Sequence, residues 1–474
     1  SSWNLSRTGL RWPSQILSAC LPISMSSNSK YSKLSEENNS KSVPLLRPHI
    51  VIVGGGFGGL YTALQLEKFK FSRLTQPKIT VIDKNPRFAF LPLMYDYISD
   101  ELKDWHVAPY YSSLLRGPNF EFIQAEVKSV DVNGKTVQIE RITSKRNSNK
   151  TPSEAPVANI EEMSFDRLVL SSGSSTNMTE RLGKSAAAIP LMSFSDAQEI
   201  KNRLQKLKRK VIATKQPVHI VVVGGNHSAV ETACTAASYF DGNKNAQVSL
   251  VYPTEDVLVT ARPANQEAGK EALRNLKVQQ YPKSKVVNAS PDQVTVEGFH
   301  GRETLNSDLT IWAAGGTPST KNLPLTNHSC TITPQGKIVV SDKLHVESHP
   351  YVFVLGDVAE VTAPVKAKVK TNSPATGNTA SRSSGRSVGA STTLSPPTVL
   401  KATAQVAMQE ADCVARNLYA SIMQKPLKRF EFFDLGEMLY LGKQNACLSS
   451  IGDISLTGIM AHTARRTAYL ARMP

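Results

Sequence analysis

Two glycine-rich turns, each lying between a buried strand and a helix, constrain the fold of this chain more than any other feature. The units occupy, in the order strand, helix and strand, residues 49–53, 60–69 and 79–82, and then 219–223, 228–239 and 247–251. A strand, a helix and a second, parallel strand form the core of a dinucleotide-binding domain. Two such units about 170 residues apart in a chain of 474 residues predict an α/β fold with two Rossmann-like domains.

The first turn reads Gly54-Gly55-Gly56-Phe57-Gly58-Gly59 and fits the pattern G-x-G-x-x-G. Gly54 allows the tight turn, Gly56 allows a pyrophosphate to approach the backbone, and Gly59 allows close packing of helix against strand. The helix N-terminus offers free N–H groups to the phosphates. Asp83 ends the next strand and is placed to accept a hydrogen bond from a ribose hydroxyl. We therefore predict a dinucleotide site here.

The second turn has the strand and the helix but only part of the pattern. It reads Gly224-Gly225-Asn226-His227-Ser228-Ala229, with Asn226 at the second glycine and Ala229 at the third. Alanine is accepted for helix packing, whereas Asn226 brings a side chain to the place where a pyrophosphate must approach. The next strand runs into Tyr252 and offers no acid to a ribose. We interpret this unit as a nicotinamide site, the alternative being a degenerate unit that only packs.

Two later segments support a flavin at the first turn. The run Leu309–Pro318 contains a strand that ends in glycine at Gly315, with Pro318 after it. An apolar run over 351–355 leads to Gly356 and Asp357. In the order of motifs, a strand that ends in glycine at Gly173 lies between the two turns. A carboxylate at the carboxyl edge of a parallel sheet lies where ligands bind, and Asp357 is suited to accept a hydrogen bond from a ribitol hydroxyl. These residues complete the predicted cofactor site.

With these motifs in order, the run Ala404-Gln405-Val406-Ala407-Met408-Gln409-Glu410 resembles the A-Q-x-A-x-Q-E quinone-site motif of type II NAD(P)H:quinone oxidoreductases. The resemblance runs from about His49 to the end, apart from a basic insert. It implies an FAD enzyme that moves electrons from NAD(P)H to a lipophilic quinone without pumping protons, on a peripheral membrane surface. It also implies a homodimer and a small C-terminal domain on the membrane or quinone side.

Within that family, the runs Phe90–Tyr95 and Trp105–Pro109 are similar to the chloroplast and cyanobacterial branch, which includes demethylphylloquinone reductase. This likeness implies a naphthoquinone or plastoquinone acceptor and a chloroplast location, at a plastoglobule or thylakoid surface; a mitochondrion is the alternative. The Ser-rich, basic residues 1–47 have the composition of a transit peptide or of a disordered tail.

The resemblance also implies roles for individual residues. Glu231, at the start of the second helix, orients the nicotinamide or relays protons, unless it is an exposed helix residue. Gln405 and Gln409 lie four residues apart, on one helical face, where their amides suit quinone carbonyls. Ala404 belongs to the cofactor site, and Glu410 is a weaker candidate for supplying protons. Lys401 stands where the family pattern has a proline.

The motif order predicts the domain boundaries. Residues 48–186 and 319–410 form the FAD-binding domain, 187–318 the NAD(P)H-binding domain and 411–474 the C-terminal domain. Residues 141–164 are polar and predict a loop or insertion. Residues 365–399 are rich in Ser, Thr, Gly and Lys and predict a disordered insert.

Charge and cysteine content exclude several classes of protein. The formal charge is +16, but residues 1–47 carry +4 of it and residues 361–399 carry +5. Much of the excess therefore lies in segments that are predicted to be unfolded, and no nucleic-acid-binding module accompanies it. The five cysteines form no Cys-x-x-Cys pair, which argues against a zinc site or a redox dithiol and predicts no metal.

Three alternatives stay open at this stage. The fold suits a reductase with a non-quinone acceptor, such as a ferredoxin, although the dithiol version lacks its cysteines. It also suits a non-catalytic FAD-binding scaffold with a degenerate nicotinamide site. The stretch Leu456–Met473 is either a basic helix at a membrane surface or an ordinary packed helix. The sequence has no run of 18 or more apolar residues, so we expect no membrane-spanning helix.

Overall fold

The computed structural model describes residues 46–142, 160–183, 186–240, 242–299, 301–323, 325, 330–369, 391–394, 398–450 and 455–474. The expected N-terminal transit peptide or tail therefore lies outside the described residues, apart from its last two positions. Two parallel sheets organise the described chain, which confirms the predicted α/β class.

The first sheet has eight strands in the order β18-β19-β6-β1-β2-β3-β4-β5, and the strands from β19 to β3 are parallel. Its strands are β1 (His49–Val53), β2 (Lys78–Asp83), β3 (Phe120–Asp131), β4 (Thr136–Arg141), β5 (Ile160–Ser164), β6 (Arg167–Leu170), β18 (His345–Val346) and β19 (His349–Val354). The central strands are buried on both faces, as the continuous apolar run Ile50–Val53 requires.

Helices and short strands cover this sheet. The helices in this part of the chain are α1 (Phe57–Glu67), α2 (Met94–Ile98), α3 (Asp104–Val107), α4 (Tyr111–Leu114) and α5 (Met178–Leu182). Helix α9 (Ala404–Ile422) packs along α1, and Tyr419 stacks on Phe69 with 4.8 Å between ring centroids. Two-stranded pairs join β7 (Ser174–Thr176) with β16 (Gly316–Pro318), β17 (Ile338–Val339) with β20 (Ala359–Glu360), and β21 (Thr362–Ala363) with β24 (Thr398–Val399).

The second sheet is fully parallel, in the order β11-β10-β9-β15-β8. Its strands are β8 (Ala188–Pro190), β9 (Val218–Val223), β10 (Ala246–Val251), β11 (Gln279–Tyr281) and β15 (Leu309–Trp312). It carries α6 (Phe194–Thr214), α7 (His227–Tyr239) and α8 (Pro263–Asn275), and an antiparallel sheet of β12 (Lys285–Ala289), β13 (Gln293–Gly298) and β14 (Gly301–Asn306).

The C-terminal part is a small antiparallel sheet followed by a helix. It consists of β26 (Glu437–Tyr440), β27 (Ala446–Ser449), β28 (Ser455–Thr457) and α10 (Gly458–Leu470). Among the described residues, no helix combines the length and the apolar character needed to cross a membrane.

The predictions for two irregular segments were wrong in part. Residues Ile160–Ser164 form β5, an edge strand that pairs antiparallel with β4, so the polar stretch 141–164 contains a strand. Alternating exposure along β5 explains its polar sequence, since only one of its faces packs. In the insert, Val365–Val369 (β22) pairs with Ser391–Leu394 (β23) and with Phe432–Phe433 (β25). The remaining insert residues, 370–390 and 395–397, lie outside the described residues.

Candidate functional site

The first glycine turn leaves open the space that a dinucleotide needs. Gly54 has a φ of +96°, and a Cβ there would overlap the backbone of Ser171. A Cβ on Gly59 would overlap the carbonyl oxygen of Gly54, so helix and strand require glycine there. Gly56 caps α1, and a Cβ there would meet no protein atom within 4 Å. The turn is therefore closed on the protein side and open at Gly56, which fits a pyrophosphate.

The other residues of this turn pack against the protein. Phe57 lies edge-on to Phe88 and Phe90, with ring centroids 5.3 and 5.2 Å away. A Cβ on Gly58 would come within 3.0 Å of the Leu355 side chain. Both residues hold helix α1 over the sheet, so their contribution to the predicted cofactor site is to fix the direction of the helix.

Asp83 supports the same turn from the end of β2. Its carboxylate accepts hydrogen bonds from the backbone N–H of Gly55 and of Asn85, each at 2.8 Å. Burial raises the pKa of Asp83, and these N–H groups act in the opposite direction. The carboxylate thus lies beside the glycine turn, at the place the sequence predicted for a ribose contact.

Further residues of the predicted site lie at the same carboxyl edge of the first sheet. Gly173, with a φ of +68°, follows β6, and Gly356, with a φ of +72°, follows β19. Asp357 accepts a hydrogen bond from the Ser174 hydroxyl at 2.5 Å. The sheet thus brings together the glycine turn, Asp83, Gly173 and the Gly356–Asp357 turn, although they are spread over more than 300 residues of sequence.

The helix that carries the quinone-like motif, α9, meets this edge with its first turns. Ala404 begins the helix, and the Thr403 hydroxyl caps it by accepting the N–H of Val406 at 3.2 Å. The Glu410 carboxylate accepts the N–H of Gly356 at 2.6 Å. Lys401, at the departure from the family pattern, donates to the carbonyl of Thr260 at 2.7 Å and so ties this end of the helix to the second sheet's part of the chain.

The two motif glutamines differ in their surroundings. The Gln409 amide donates to the carbonyl of Phe433 at 2.8 Å and accepts its N–H at 2.9 Å. Gln409 therefore binds the backbone of β25, in the manner of a neighbouring strand. Gln405 is half-buried and lies one helical turn before Gln409.

The second glycine turn is built like the first, apart from Asn226. Gly224 has a φ of +131°, and a Cβ there would lie 2.9 Å from the carbonyl oxygen of Ala313. Asn226 is exposed and caps α7, with its side-chain oxygen accepting the N–H of Ala229 at 3.0 Å. Its side chain is therefore turned onto its own helix, where it uses one N–H group that a phosphate would otherwise approach.

Gly315 also lies at the edge that carries the second turn. It follows β15 with a φ of +34°, and a Cβ there would meet no protein atom within 4 Å. Gly225 is half-buried against Tyr252. The sequence analysis assigned Gly315 to the flavin site, whereas β15 places it at the carboxyl edge of the second sheet, with Gly224, Gly225 and Asn226.

Glu231 is buried, so the alternative of an exposed helix residue is wrong. Its Oε1 accepts the N–H of Tyr440 at 2.8 Å, and its carboxyl group also hydrogen-bonds the Tyr95 side chain. Burial raises the pKa of Glu231, and the charge of Arg465 opposes that shift. Glu231 lies on α7 of the second nucleotide-binding part, Tyr95 lies on α2 of the first, and Tyr440 ends β26. The Glu231 carboxyl group therefore joins both nucleotide-binding parts to the C-terminal sheet.

The terminal helix is packed into the protein by a buried ion pair, while Ile459 and Met460 of the stretch Leu456–Met473 stay exposed. Arg465 and Asp96 are both 0% exposed, and Arg465 Nη1 lies 2.9 Å from Asp96 Oδ2. Arg466 also contacts Asp96, at 3.1 Å, and pairs with Glu101. Sequence reasoning missed this cluster, although an arginine among apolar helix positions was a signal that could have revealed it.

A histidine completes that cluster without making it a metal centre. His462 Nε2 lies 3.0 Å from Glu101 Oε2, and ligand atoms of Asp96, Glu101 and His462 lie within 4.8 Å of one another. The guanidinium groups of Arg465 and Arg466 already neutralise both carboxylates. The donor set therefore suits an internal salt-bridge network better than a cation.

The described cysteines are buried thiols. Cys234 on α7 and Cys447 on β27 are 0% and 1% exposed, and Cys330 and Cys413 are also buried. Burial raises the pKa of Cys447 to about 12, and it raises the pKa of Cys234 further. Redox exchange needs an accessible thiolate, so these two thiols are unsuited to a catalytic dithiol.

Comparisons with known proteins agree with this geometry. The family model for pyridine nucleotide-disulphide oxidoreductases matches residues 48–384. The chain is 29% identical over 450 residues to the alternative NAD(P)H-ubiquinone oxidoreductase C1, chloroplastic/mitochondrial, of Arabidopsis thaliana, covering 90% of this chain and 78% of the other. It is 29% identical over 430 residues to the demethylphylloquinone reductase NdbB of Synechocystis sp., covering 90% and 93%.

A solved structure shares the fold. The structure of NDH2 from Plasmodium falciparum in complex with NADH superposes with a TM-score of 0.67 at 16% identity, covering 89% of this chain and 96% of the other. At this identity the likeness concerns the fold alone.

Proposed function

Because this chain belongs to the pyridine nucleotide-disulphide oxidoreductase family, we propose that it oxidises NAD(P)H and reduces a lipophilic quinone, using FAD. One observation carries the proposal: the parallel strands of two sheets each lead into a glycine turn, the first turn is open at Gly56, and helix α9 meets the carboxyl edge of the first sheet. The relatives named for NAD(P)H-quinone and demethylphylloquinone reduction span 90% of the chain and support the same activity.

FAD fits the first glycine turn. The space beside Gly56 and the N-terminus of α1 would take the pyrophosphate, Asp83 the ribose edge, and Asp357 the ribitol side. When bound, FAD supplies the redox chemistry, accepting a hydride and giving up two electrons. The protein residues position the FAD and its reaction partners and shield them from water.

The second turn would hold NAD(P)H. Gly315 leaves its edge open, and the Asn226 side chain lies back on its own helix instead of crossing the turn. Glu231 is placed below this edge, fixed by Tyr440 and Tyr95, and would orient the nicotinamide ring.

The quinone would lie beside the first turns of α9. Gln405 would donate a hydrogen bond to a quinone carbonyl. Gln409, on the same face of the helix, holds the backbone of Phe433 beside it. An uncharged amide suits a site where a reduced quinone carries developing negative charge. The relative named demethylphylloquinone reductase favours a naphthoquinone as the acceptor.

The location of the protein in the cell follows from the chemistry of the quinone acceptor. A lipophilic quinone requires a peripheral membrane or lipid surface, and the relatives come from a plant organelle and a cyanobacterium. We infer a chloroplast or mitochondrial location, at a thylakoid or plastoglobule surface in the former case, with a homodimer as the working assembly.

Separate half-reactions test the function. The FAD-loaded full chain is mixed anaerobically with NADH or NADPH, and the flavin absorbance is followed before and after addition of menadione, a soluble naphthoquinone. Bleaching followed by recovery is expected. A yellow protein that either nucleotide leaves unchanged would instead favour the non-catalytic scaffold, and bleaching without recovery would favour a non-quinone acceptor.

Variants of the motif helix assign the quinone side. Gln405→Leu and Gln409→Leu should slow recovery by menadione roughly tenfold, since each removes about one hydrogen bond or its support. Bleaching by NAD(P)H should stay at the wild-type rate. Gln424→Leu, just beyond the far end of α9, is the matched control. Equal slowing of both half-reactions would contradict the assignment.

A further inference from the structure

A buried carboxyl group on α9 lies beside the carboxyl edge of the first sheet. Glu410 is 1% exposed and lies on the second turn of the helix, where its Oε2 accepts the Gly356 N–H at 2.6 Å. Gly356 belongs to the turn at the carboxyl edge of the first sheet. The carboxyl group thus lies between the motif helix and the predicted cofactor edge.

The surroundings of Glu410 favour its protonated form. Burial raises the pKa of Glu410 to about 7, the neighbouring Asp357 charge acts in the same direction, and the Gly356 N–H and the Lys337 charge oppose it. Lys337 pairs with Glu360 at 3.3 Å, which reduces the net charge that it presents. On its own helix, Asp412 is the neighbouring acidic side chain, and its charge interactions are with Arg416 and Lys68.

A small cavity lies beside Glu410. Its lining includes the buried Glu410 and Val406, the backbone of Gly356, and Lys401 and Thr403, which are exposed. Lys337 lines the same space. Glu410 therefore lies between this cavity, whose lining includes the exposed Lys401 and Thr403, and the carboxyl edge of the sheet.

The proposed reaction needs a proton from solution, because its protons do not balance otherwise. NAD(P)H and a quinone give NAD(P)⁺ and a quinol, which gains two electrons and two protons. The hydride supplies both electrons and one proton, so one further proton must enter from solution in each turnover. That proton has to reach a site from which bulk water is largely excluded.

We propose that Glu410 carries this proton, taking it from solution through the cavity and giving it to a quinol oxygen. Loss of the proton leaves a carboxylate that the Gly356 N–H stabilises until a second proton arrives through the same cavity. The assignment rests on the proposed quinone reductase activity and adds to it the source of the second proton.

The competing explanation is that Glu410 only holds the Gly356 turn. Glu410→Gln separates the two, since glutamine keeps an oxygen that accepts the Gly356 N–H but has no acidic proton to give. A holding role predicts wild-type behaviour for this variant. A proton-carrying role predicts a specific loss in the quinone half-reaction.

The experiment uses the FAD-loaded full chain. The protein is reduced anaerobically with NAD(P)H and mixed with menadione at pH values from about 5 to about 9, the range over which such a group changes charge. Wild-type reoxidation should slow as pH rises through about 7, where Glu410 loses its proton. Glu410→Gln should be slower by about 100-fold or more at low pH and should lack this ionisation.

Controls isolate the carboxyl group. Glu410→Asp should recover part of the rate with a shifted profile, and Asp412→Asn, which removes the neighbouring carboxylate on the same helix, should match the wild type. Reduction by NAD(P)H should be unchanged in every variant. A readout independent of turnover is the infrared carbonyl band of a protonated carboxylic acid, which should titrate near pH 7 in the wild type and vanish in Glu410→Gln.

The possible failures are distinguishable. A wild-type protein that is bleached by NAD(P)H but leaves menadione unreduced overturns the proposed function and the role of Glu410 together. A wild-type protein that reduces menadione, with Glu410→Gln showing the same rate and pH profile, overturns the role of Glu410 alone. An infrared band that does not titrate in this range also overturns it.

Discussion

Replacing Gly56 by alanine should separate cofactor binding from folding at the first glycine turn. The new Cβ would meet no protein atom within 4 Å, and the backbone at Gly56, with φ −66° and ψ −163°, is open to any residue. Alanine is a poorer helix cap than glycine but loses less chain entropy on folding. The free energy of unfolding of the FAD-free protein should therefore change by no more than about 0.5 kcal/mol.

FAD binding should weaken much more. The methyl group would stand in the one open side of the turn, where a pyrophosphate approaches the N-terminus of α1. Displacing the phosphate from one N–H group costs about 1.5–3 kcal/mol, because the bond involves a charged group. The dissociation constant for FAD should accordingly rise by roughly 10- to 150-fold.

Gly59→Ala is the matched comparison. A Cβ there would overlap the carbonyl oxygen of Gly54, so this variant should lose about 1–3 kcal/mol of unfolding free energy even without FAD. Urea denaturation of the FAD-free proteins measures the stabilities, and quenching of flavin fluorescence during titration measures the affinities. An unchanged FAD affinity in Gly56→Ala would refute the placement of the dinucleotide on this turn.

Three further outcomes follow from the contacts. Arg465→Met should lower the unfolding free energy by about 3–5 kcal/mol in urea denaturation, because it removes the fully buried partner of Asp96 and leaves Arg466 as its ion-pair partner among the described residues; a loss below about 1 kcal/mol would contradict the buried pair. Asn226→Gly should raise NAD(P)H affinity in calorimetry while costing a few tenths of a kcal/mol in stability, since glycine also caps helices; weaker binding would mean that the Asn226 side chain assists the nucleotide. Iodoacetamide at about pH 8 should leave Cys234 and Cys447 of the folded protein unmodified, because burial raises the pKa of both thiols. Peptide mass spectrometry measures the modification, and labelling of both thiols would reopen a redox role.

The parallel strands and their turns were predictable from sequence because their signals are local. The strand over 49–53 is β1 itself, and the predicted helix over 228–239 differs from α7 by one residue at its start. Continuous apolar runs are typical of strands buried on both faces, and glycine is required where φ is positive. The same logic placed Asp83 and Asp357 at one edge, since parallel strands end together.

The parts that escaped prediction depend on distant partners. Ile160–Ser164 pairs with β4 despite its polar sequence, and Val365–Val369 forms a strand because Phe432–Phe433 lies beside it. The amide of Gln409 is engaged by the Phe433 backbone, which no motif spacing reveals. Pairings of this kind are set by tertiary contacts and leave little trace in local composition.

The Asp96–Arg465 pair has a consequence for the order of events during synthesis. Its two partners are 369 positions apart, so the ribosome must finish nearly the whole chain before the carboxylate near the start can meet its guanidinium. Until then, the segment around Asp96 holds a charge that is costly to bury, and it must stay hydrated. The surroundings of Asp96 therefore close only after the last helix has emerged, and a nascent chain that stalls short of Arg465 would leave this part of the surface open to chaperones and proteases.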